Sequence, residues 1–218
     1  MLRKGQLFMA KAFSDEEKEQ IRIRMMETAL DLFHDKGVKS LSIQELTRRV
    51  GIAQGSFYNF WKDKDALVLD VMRFRSKQKL RLIEDHMEES LADPAGFLAE
   101  TIYVYSVDLM KKGREQPTYA QSFALLLRAE PDAENRVGVV YRDFLEKLSA
   151  YWKAHGVVET VDVQGLVNVF TGSFVLFANA VQFDPEYFDG ILKTFIQNAV
   201  SQYIKRKEDR HDEHAIEF

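Results

Sequence analysis

Residues 53–59 read Ala-Gln-Gly-Ser-Phe-Tyr-Asn. On a short helix they place four hydrogen-bonding side chains, Gln54, Ser56, Tyr58 and Asn59, around one large apolar group, Phe57. That composition has a defined use. Phe57 can anchor inward, while amide and hydroxyl groups facing out can donate to and accept from nucleotide base edges or phosphate oxygens. Gly55 lets the backbone approach a neighbouring surface closely. A glycine inside a helix costs up to about 1 kcal/mol against alanine, so its presence implies a use that offsets this. Tyr58 shares a helix face with the polar residues and reads as exposed.

Elsewhere the side chains offer little competing chemistry. The chain has no cysteine, which excludes disulfides, thiolate metal sites and cysteine nucleophiles. His211 and His214 lie three apart in a charged terminal run, and His34, His86 and His155 have no obvious partners, so no metal site is expected. No nucleophile–base pair, phosphate loop or metal spacing points to catalysis or to a cofactor, and the expectation is a protein that is not an enzyme. The formal net charge of −4 is unevenly spread. Residues 1–83 carry 17 Lys and Arg against 11 Asp and Glu, a net of +6, and residues 84–218 carry 13 against 23, a net of −10. A basic N-terminal unit can approach phosphates while an acidic body is kept away from them. No apolar run reaches the roughly 18 residues of a membrane span, and residues 1–12 lack the pattern of a signal peptide. The cytoplasm, with no membrane partner, is the default expectation.

The elements that must position residues 53–59 are helical. Asp15, Glu16 and Glu17 suit a helix start after Ser14, and Ile21, Met25, Ala29, Leu32 and Phe33 recur at helical spacing. Gly37 is placed to stop that helix. Ser42-Ile43-Gln44-Glu45 has the pattern of a capping box and opens a second, short helix interrupted by Gly51. Asp63 caps a fourth, continued by Leu67, Val71 and Phe74. Its far end, Arg73 to Arg81, carries five basic residues, which suit either a solvated face or a phosphate-facing or domain-bridging role. Three short helices in about forty residues, with a glycine at the tight turn between the second and third, have the layout of a helix-turn-helix.

Taken together, these pieces resemble the DNA-binding domain of the TetR family of bacterial regulators. The resemblance rests on Ala29-Leu30-Asp31-Leu32-Phe33 with Lys36-Gly37, and on Ser42-Ile43-Gln44-Glu45-Leu46. It continues with Gly51-Ile52-Ala53-Gln54-Gly55-Ser56-Phe57-Tyr58 and Lys64-Asp65-Ala66-Leu67, and covers about a quarter of the chain. It implies DNA contacts at Ser42, Thr47, Arg48, Gln54, Gly55, Ser56, Tyr58, Asn59 and Lys64, with Ser42, Tyr58 and Lys64 at positions where the family meets phosphate. Adjacent Arg48 and Arg49 point about 100° apart on a helix, so at most one of them faces DNA. Two departures stand out: Phe60 sits where the family often has histidine or tyrosine, and Ala53 replaces a side chain that would cap the third helix.

The expected fold is therefore all-α. An N-terminal helix-turn-helix domain spans residues 15–75, with the helix-turn-helix itself at about 42–60, and a C-terminal helical effector-binding and dimerisation domain spans residues 76–205. Beyond Asp93-Pro94 the pattern stays helical, with breaks at 113–117, 130–132 and 155–159. Aromatic residues are dense there. Pockets for small organic ligands are lined by such groups, and Tyr103, Tyr119 and Phe123 are the leading candidates for a small apolar or aromatic effector. Residues 165–183 and 188–203 are apolar on more than one face. By the resemblance they form a four-helix bundle across a dimer axis, with Gly172, Phe174, Ala178, Phe195 and Ala199 at the interface. The implied function is a homodimeric, ligand-responsive regulator, a repressor by the family's commoner habit, on a palindromic operator of double-stranded DNA. The competing readings are an all-helical adaptor that does not bind DNA and a helical enzyme.

Overall fold

The computed structural model describes residues 13–36, 41–128 and 139–207. The expected stop at Gly37, the break at 130–132 and the terminal histidines His211 and His214 lie outside those residues. Contacts divide the chain into two units, residues 1–71 and 72–218, at a boundary that falls inside one helix.

The first unit is built from α1 (Asp15–Lys36), α2 (Ile43–Val50), a short 3-10 helix (Gln54–Asn59) and the start of α3 (Lys64–Glu84). Local chemistry sets each start. Ser14 and Glu17 cap α1 reciprocally: Glu17 N–H donates to Ser14 Oγ at 3.1 Å, and Ser14 N–H donates to Glu17 Oε2 at 2.8 Å. Ser42 Oγ accepts from Glu45 N–H at 3.3 Å, and Asp63 Oδ1 accepts from Ala66 N–H at 2.8 Å. Gly51, at φ 82°, ends α2 in the left-handed region, where its N–H donates to Arg48 and Thr47 carbonyls. Met25, Ala29, Leu46, Phe57, Leu67 and Val68 are buried completely and form the core of this unit.

The second unit comprises the remainder of α3, a 3-10 turn (Met87–Leu91), α4 (Pro94–Glu115), α5 (Pro117–Arg128), α6 (Val139–Ala154), α7 (Val163–Ala178) and α8 (Pro185–Tyr203). It also holds a feature absent from the sequence reading. β1 (Val158–Val161) pairs antiparallel with β2 (Ile204–Arg206), with Val161 opposite Ile204. Gly156, at φ 69°, turns the chain out of α6 where a break was expected. Trp152 is fully buried, and its indole N–H donates to Ser90 Oγ at 2.7 Å, so the largest core side chain has its polar atom satisfied. Tyr141 stacks on Phe170 with centroids 4.1 Å apart. α7 and α8 pack closely because Gly165 has no side chain: a Cβ there would lie 2.2 Å from the Tyr203 ring. No helix among the described residues is long and apolar enough to cross a membrane.

Candidate functional site

The segment Gln54–Asn59 is a single 3-10 helix rather than an α-helix, preceded by Ala53, which provides no side-chain cap. Phe57 is fully buried and Trp61 nearly so, with rings 5.7 Å apart. This aromatic pivot turns the opposite side of the segment outward: Gln54, Gly55, Tyr58 and Asn59 are exposed and Ser56 is half-buried. Tyr58 is 59% exposed. Its ring touches Phe57 edge-on at 5.3 Å, and the rest of it stands in solvent, available to a partner. A Cβ at Gly55 would meet nothing within 4 Å, so the glycine answers to no contact inside the chain.

The other expected contacts arrange themselves around this segment in different ways. Ser42 is exposed at the start of α2. Arg48 and Arg49 are both exposed, but Arg49 is tied to Glu45 at 3.0 Å, which leaves Arg48 as the outward-facing member of the pair. Lys64 donates to the Leu41 carbonyl at 3.0 Å, so its ammonium fixes the entry to α2. Thr47 corrects the sequence expectation. It is 1% exposed, and its hydroxyl donates to the carbonyls of Ile43 at 2.8 Å and Gln44 at 3.3 Å. A threonine can satisfy its hydroxyl within its own helix and bury its methyl group, and Thr47 does so beneath α2. Beside the segment lies a cavity of about 910 Å³ whose wall includes Lys18, Arg24, Ser56 and Asn59, so cationic and hydrogen-bonding groups border the same space.

A positioning group that the sequence did not reveal holds this arrangement. Asp70 of α3 accepts from Arg22 of α1 at 2.6 Å and from the Trp61 indole N–H at 2.9 Å. Burial works against the Arg22 charge, but the hydrogen bond and charge of Asp70 outweigh it and raise its affinity for the proton. One carboxylate thereby ties α1, Trp61 two positions beyond the 3-10 helix, and α3. Its partners lie 48 and 9 positions away, so no local spacing could have indicated it.

In the second unit the ligand candidates are dispersed. Tyr119 and Phe123 are buried, and the Phe123 ring lies edge-on to Phe174 at 5.6 Å and to Phe177 at 5.5 Å. Tyr103 is half-buried. Its hydroxyl donates to Asp189 at 2.5 Å, and that bond, helped by burial, pushes its pKa up to about 12. A cavity of about 860 Å³ opens elsewhere, between α3, the 3-10 turn and α4, with Leu82, Ile83, Phe97, Val104 and Tyr105 in its wall. At its edge Asp108 pairs with Lys79 and, at 2.9 Å, with Lys112. Burial would raise the Asp108 carboxyl, but hydrogen bonds from the two lysines prevail and hold it below the usual range. Lys77 also lies 3.9 Å from Asp143, so part of the basic run 73–81 pairs within the second unit. Tyr105 is buried, which pushes its hydroxyl up, and it hydrogen-bonds Ser76 at 2.8 Å.

The residues expected at a dimer interface are likewise redistributed. Phe174 is 4% exposed and belongs to the core of its own chain, a correction that follows from its packing on Phe123 and Phe177. A Cβ at Gly172 would lie 2.7 Å from Phe195, so this glycine makes room for α8 of the same chain. Phe195, Ala178 and Ala199 are half-buried. The apolar groups left outside on α7 and α8 are Val175, Tyr187 and Ile191, at 45%, 64% and 41% exposure.

Residues 25–71 match the sequence profile of the tetR family of bacterial regulatory proteins. Over 58 residues the chain is 40% identical to the uncharacterized HTH-type transcriptional regulator YuxN of Bacillus subtilis (strain 168), covering 27% of this chain and 19% of that protein. The chain thus spans about a fifth of that relative's length. Among solved structures, the R. erythropolis transcriptional repressor QsdR, from the TetR family, superimposes with a TM-score of 0.60 at 11% identity, covering 88% of this chain and 98% of that one. Thermus thermophilus FadR, a TetR-family repressor in complex with lauroyl-CoA, gives a TM-score of 0.58 at 17% identity, with 87% and 97% covered. At these identities the structural likenesses carry the fold: a helix-turn-helix unit followed by a helical unit.

Proposed function

We propose that this chain, whose N-terminal unit is of the tetR family of bacterial regulatory proteins, is a ligand-responsive transcription regulator that binds a near-palindromic DNA operator as a homodimer. The observation that carries the reading is the outward display of Gln54, Gly55, Tyr58 and Asn59 on the buried pivot of Phe57. A polar, protruding segment with an open glycine is what the major groove admits, since side-chain amides and hydroxyls can pair with base edges there. Ser42, Arg48, Lys64 and the net positive charge of residues 1–83 supply phosphate contacts.

Two-fold pairing would place the two segments about 34 Å apart, one helical turn of DNA. The outer faces of α7 and α8, where Val175 and Ile191 are exposed, are the surface assigned to that pairing. The effector is assigned to the C-terminal unit, supported by its cavity of about 860 Å³ and by the lauroyl-CoA complex of the related fold. Ligand binding changes the separation of the paired segments, so affinity for the operator falls, and linkage requires the operator to weaken the ligand by the same factor. Repression by blocking a promoter is the regulatory outcome assigned.

Selection from a random pool of DNA duplexes tests this reading. The expected result is enrichment of an inverted repeat, bound with an affinity that falls steeply with salt. Failure to enrich any duplex contradicts it, and so does a partner protein still captured by a variant carrying Gln54→Ala and Tyr58→Ala, which favours an adaptor.

A further inference from the structure

The cavity of about 910 Å³ in the N-terminal unit, beside the 3-10 helix, has a wall that contact with DNA does not require. Phosphate is met by cationic and hydrogen-bonding groups, yet Ile21, Val50, Ile52 and Phe60 form a large part of this wall. Ile21 is buried and the other three are only half-buried, so apolar surface stays open to the cavity. We propose that this cavity is a second ligand site, separate from the C-terminal unit, which takes a small organic acid: an aromatic or short aliphatic body bearing one carboxylate. Covering the apolar wall supplies the affinity for the body.

The charged groups at the cavity select the sign. Among the described residues its wall holds two cations, Lys18 and Arg24, and no carboxylate. The acids on the first turns of α1 are engaged elsewhere: Glu17 accepts from Ser14 N–H at 2.8 Å, and Glu19 lies 3.5 Å from Arg22. Asp15 pairs with Lys18 at 2.9 Å, which balances that ammonium in part and makes Arg24, exposed on α1, the principal anchor. A guanidinium offers paired N–H donors in the geometry a carboxylate accepts. Ser56 and Asn59 belong to the same wall and can add hydrogen bonds to the carboxylate oxygens. A neutral analogue gains the apolar contact alone, and an organic cation meets like charges, so the site discriminates by sign as well as by shape. The acid would cover Ser56 and Asn59, so acid and operator exclude one another by overlap, without any change in the separation of paired segments. That consequence, unlike the binding itself, rests on the reading of the segment as the DNA contact.

2-Naphthoate and 2-naphthamide share an apolar body and differ in charge, which makes them the deciding probes. Calorimetric titration of the full chain without DNA is expected to show the acid bound about five- to tenfold more tightly than the amide, as exposed charge contacts of modest size combine. Arg24→Gln should weaken the acid about three- to fivefold and Lys18→Gln about twofold. Both positions are exposed, so circular dichroism and the affinity for the amide should not change. Phe60→Ser should weaken both probes about fivefold by removing part of the apolar wall. Equal affinity for the two probes overturns the proposal. So does naphthoate affinity that is unaffected in the double variant Lys18→Gln with Arg24→Gln, which would place the acid in another cavity, the one between α3 and α4 included. If Leu7→Ser with Phe8→Ser raises the affinity for both probes, residues of the chain itself occupy the cavity and the proposal falls. A saturating duplex should weaken naphthoate at least fivefold. Naphthoate held through Arg24 but not displaced by a bound duplex overturns the exclusion, whereas a chain that binds no duplex while keeping its sign preference sinks the regulator reading and supports the site.

Discussion

The two units of this chain put their informative residues on opposite sides of their surfaces. In the N-terminal unit a small core fixes a short polar segment facing solvent, and the residues that matter are those the core does not need: Gln54, Gly55, Tyr58 and Asn59. In the C-terminal unit aromatic residues fill a large core. Tyr119, Phe123, Phe174 and Phe177 are all consumed by packing on one another, while the cavity between α3 and α4 has a different lining in which aliphatic and charged side chains join Phe97 and Tyr105. An aromatic ring left exposed, as at Tyr58, and a helix glycine that no neighbour requires, as at Gly55, point to something outside the protein. An aromatic residue in a helical repeat points first to the core.

That contrast can be broken or sharpened by substitution. The largest effect is expected at Trp152→Ala, which removes a fully buried ring and the indole donor to the Ser90 hydroxyl. Equilibrium denaturation should show a loss of about 3–5 kcal/mol, and a loss under about 1 kcal/mol would mean that the second core is not packed as described. Gly165→Ala comes next, because the added methyl meets the Tyr203 ring; a cost of about 1–3 kcal/mol is expected from overpacking. In the first unit, Asp70→Asn weakens the tie to Arg22 and Trp61. It should cost about 1–2 kcal/mol in the same measurement and reduce operator affinity although Asp70 touches no DNA in this account.

Asp108→Asn has the smallest expected effect. The carboxyl lies below its ordinary range when folded, so the stabilisation it provides is present above the unfolded pKa and lost as pH falls through the lowered folded value. Stability measured from neutral to acidic pH should fall less steeply in the variant. At a site more than a third exposed the difference should stay well under about 1 kcal/mol, and an identical pH profile would contradict the assignment of charge to this cluster.

Legibility followed the range of the interactions. Ser42, Gly51 and Asp63 were readable because capping and the left-handed turn act within three or four residues, and Phe57 was readable because it is the one large apolar group in a polar segment. Thr47 was misread because a threonine that bonds its own helix has the same letter as one that reaches DNA. The pairing of β1 with β2 joins residues more than forty positions apart, and the Asp70 tie spans 48; neither leaves a local pattern. The 3-10 geometry of residues 54–59 was missed for another reason. A six-residue segment is too short for periodicity to separate one helix type from another. In the C-terminal unit, Gly172 makes room for Phe195 of its own chain, a partner the sequence could not name because a small residue signals close packing without saying which helix supplies the neighbour.

The most direct test of the central claim is fluorescence anisotropy of a selected duplex with the intact chain and with the variant carrying Gln54→Ala and Tyr58→Ala. Both side chains are exposed, so the variant should keep its unfolding free energy within about 0.5 kcal/mol. It should lose selectivity for the selected duplex over random DNA while retaining weak, salt-sensitive binding through its phosphate contacts. Unchanged selectivity in a folded variant would contradict the claim that this segment reads the DNA.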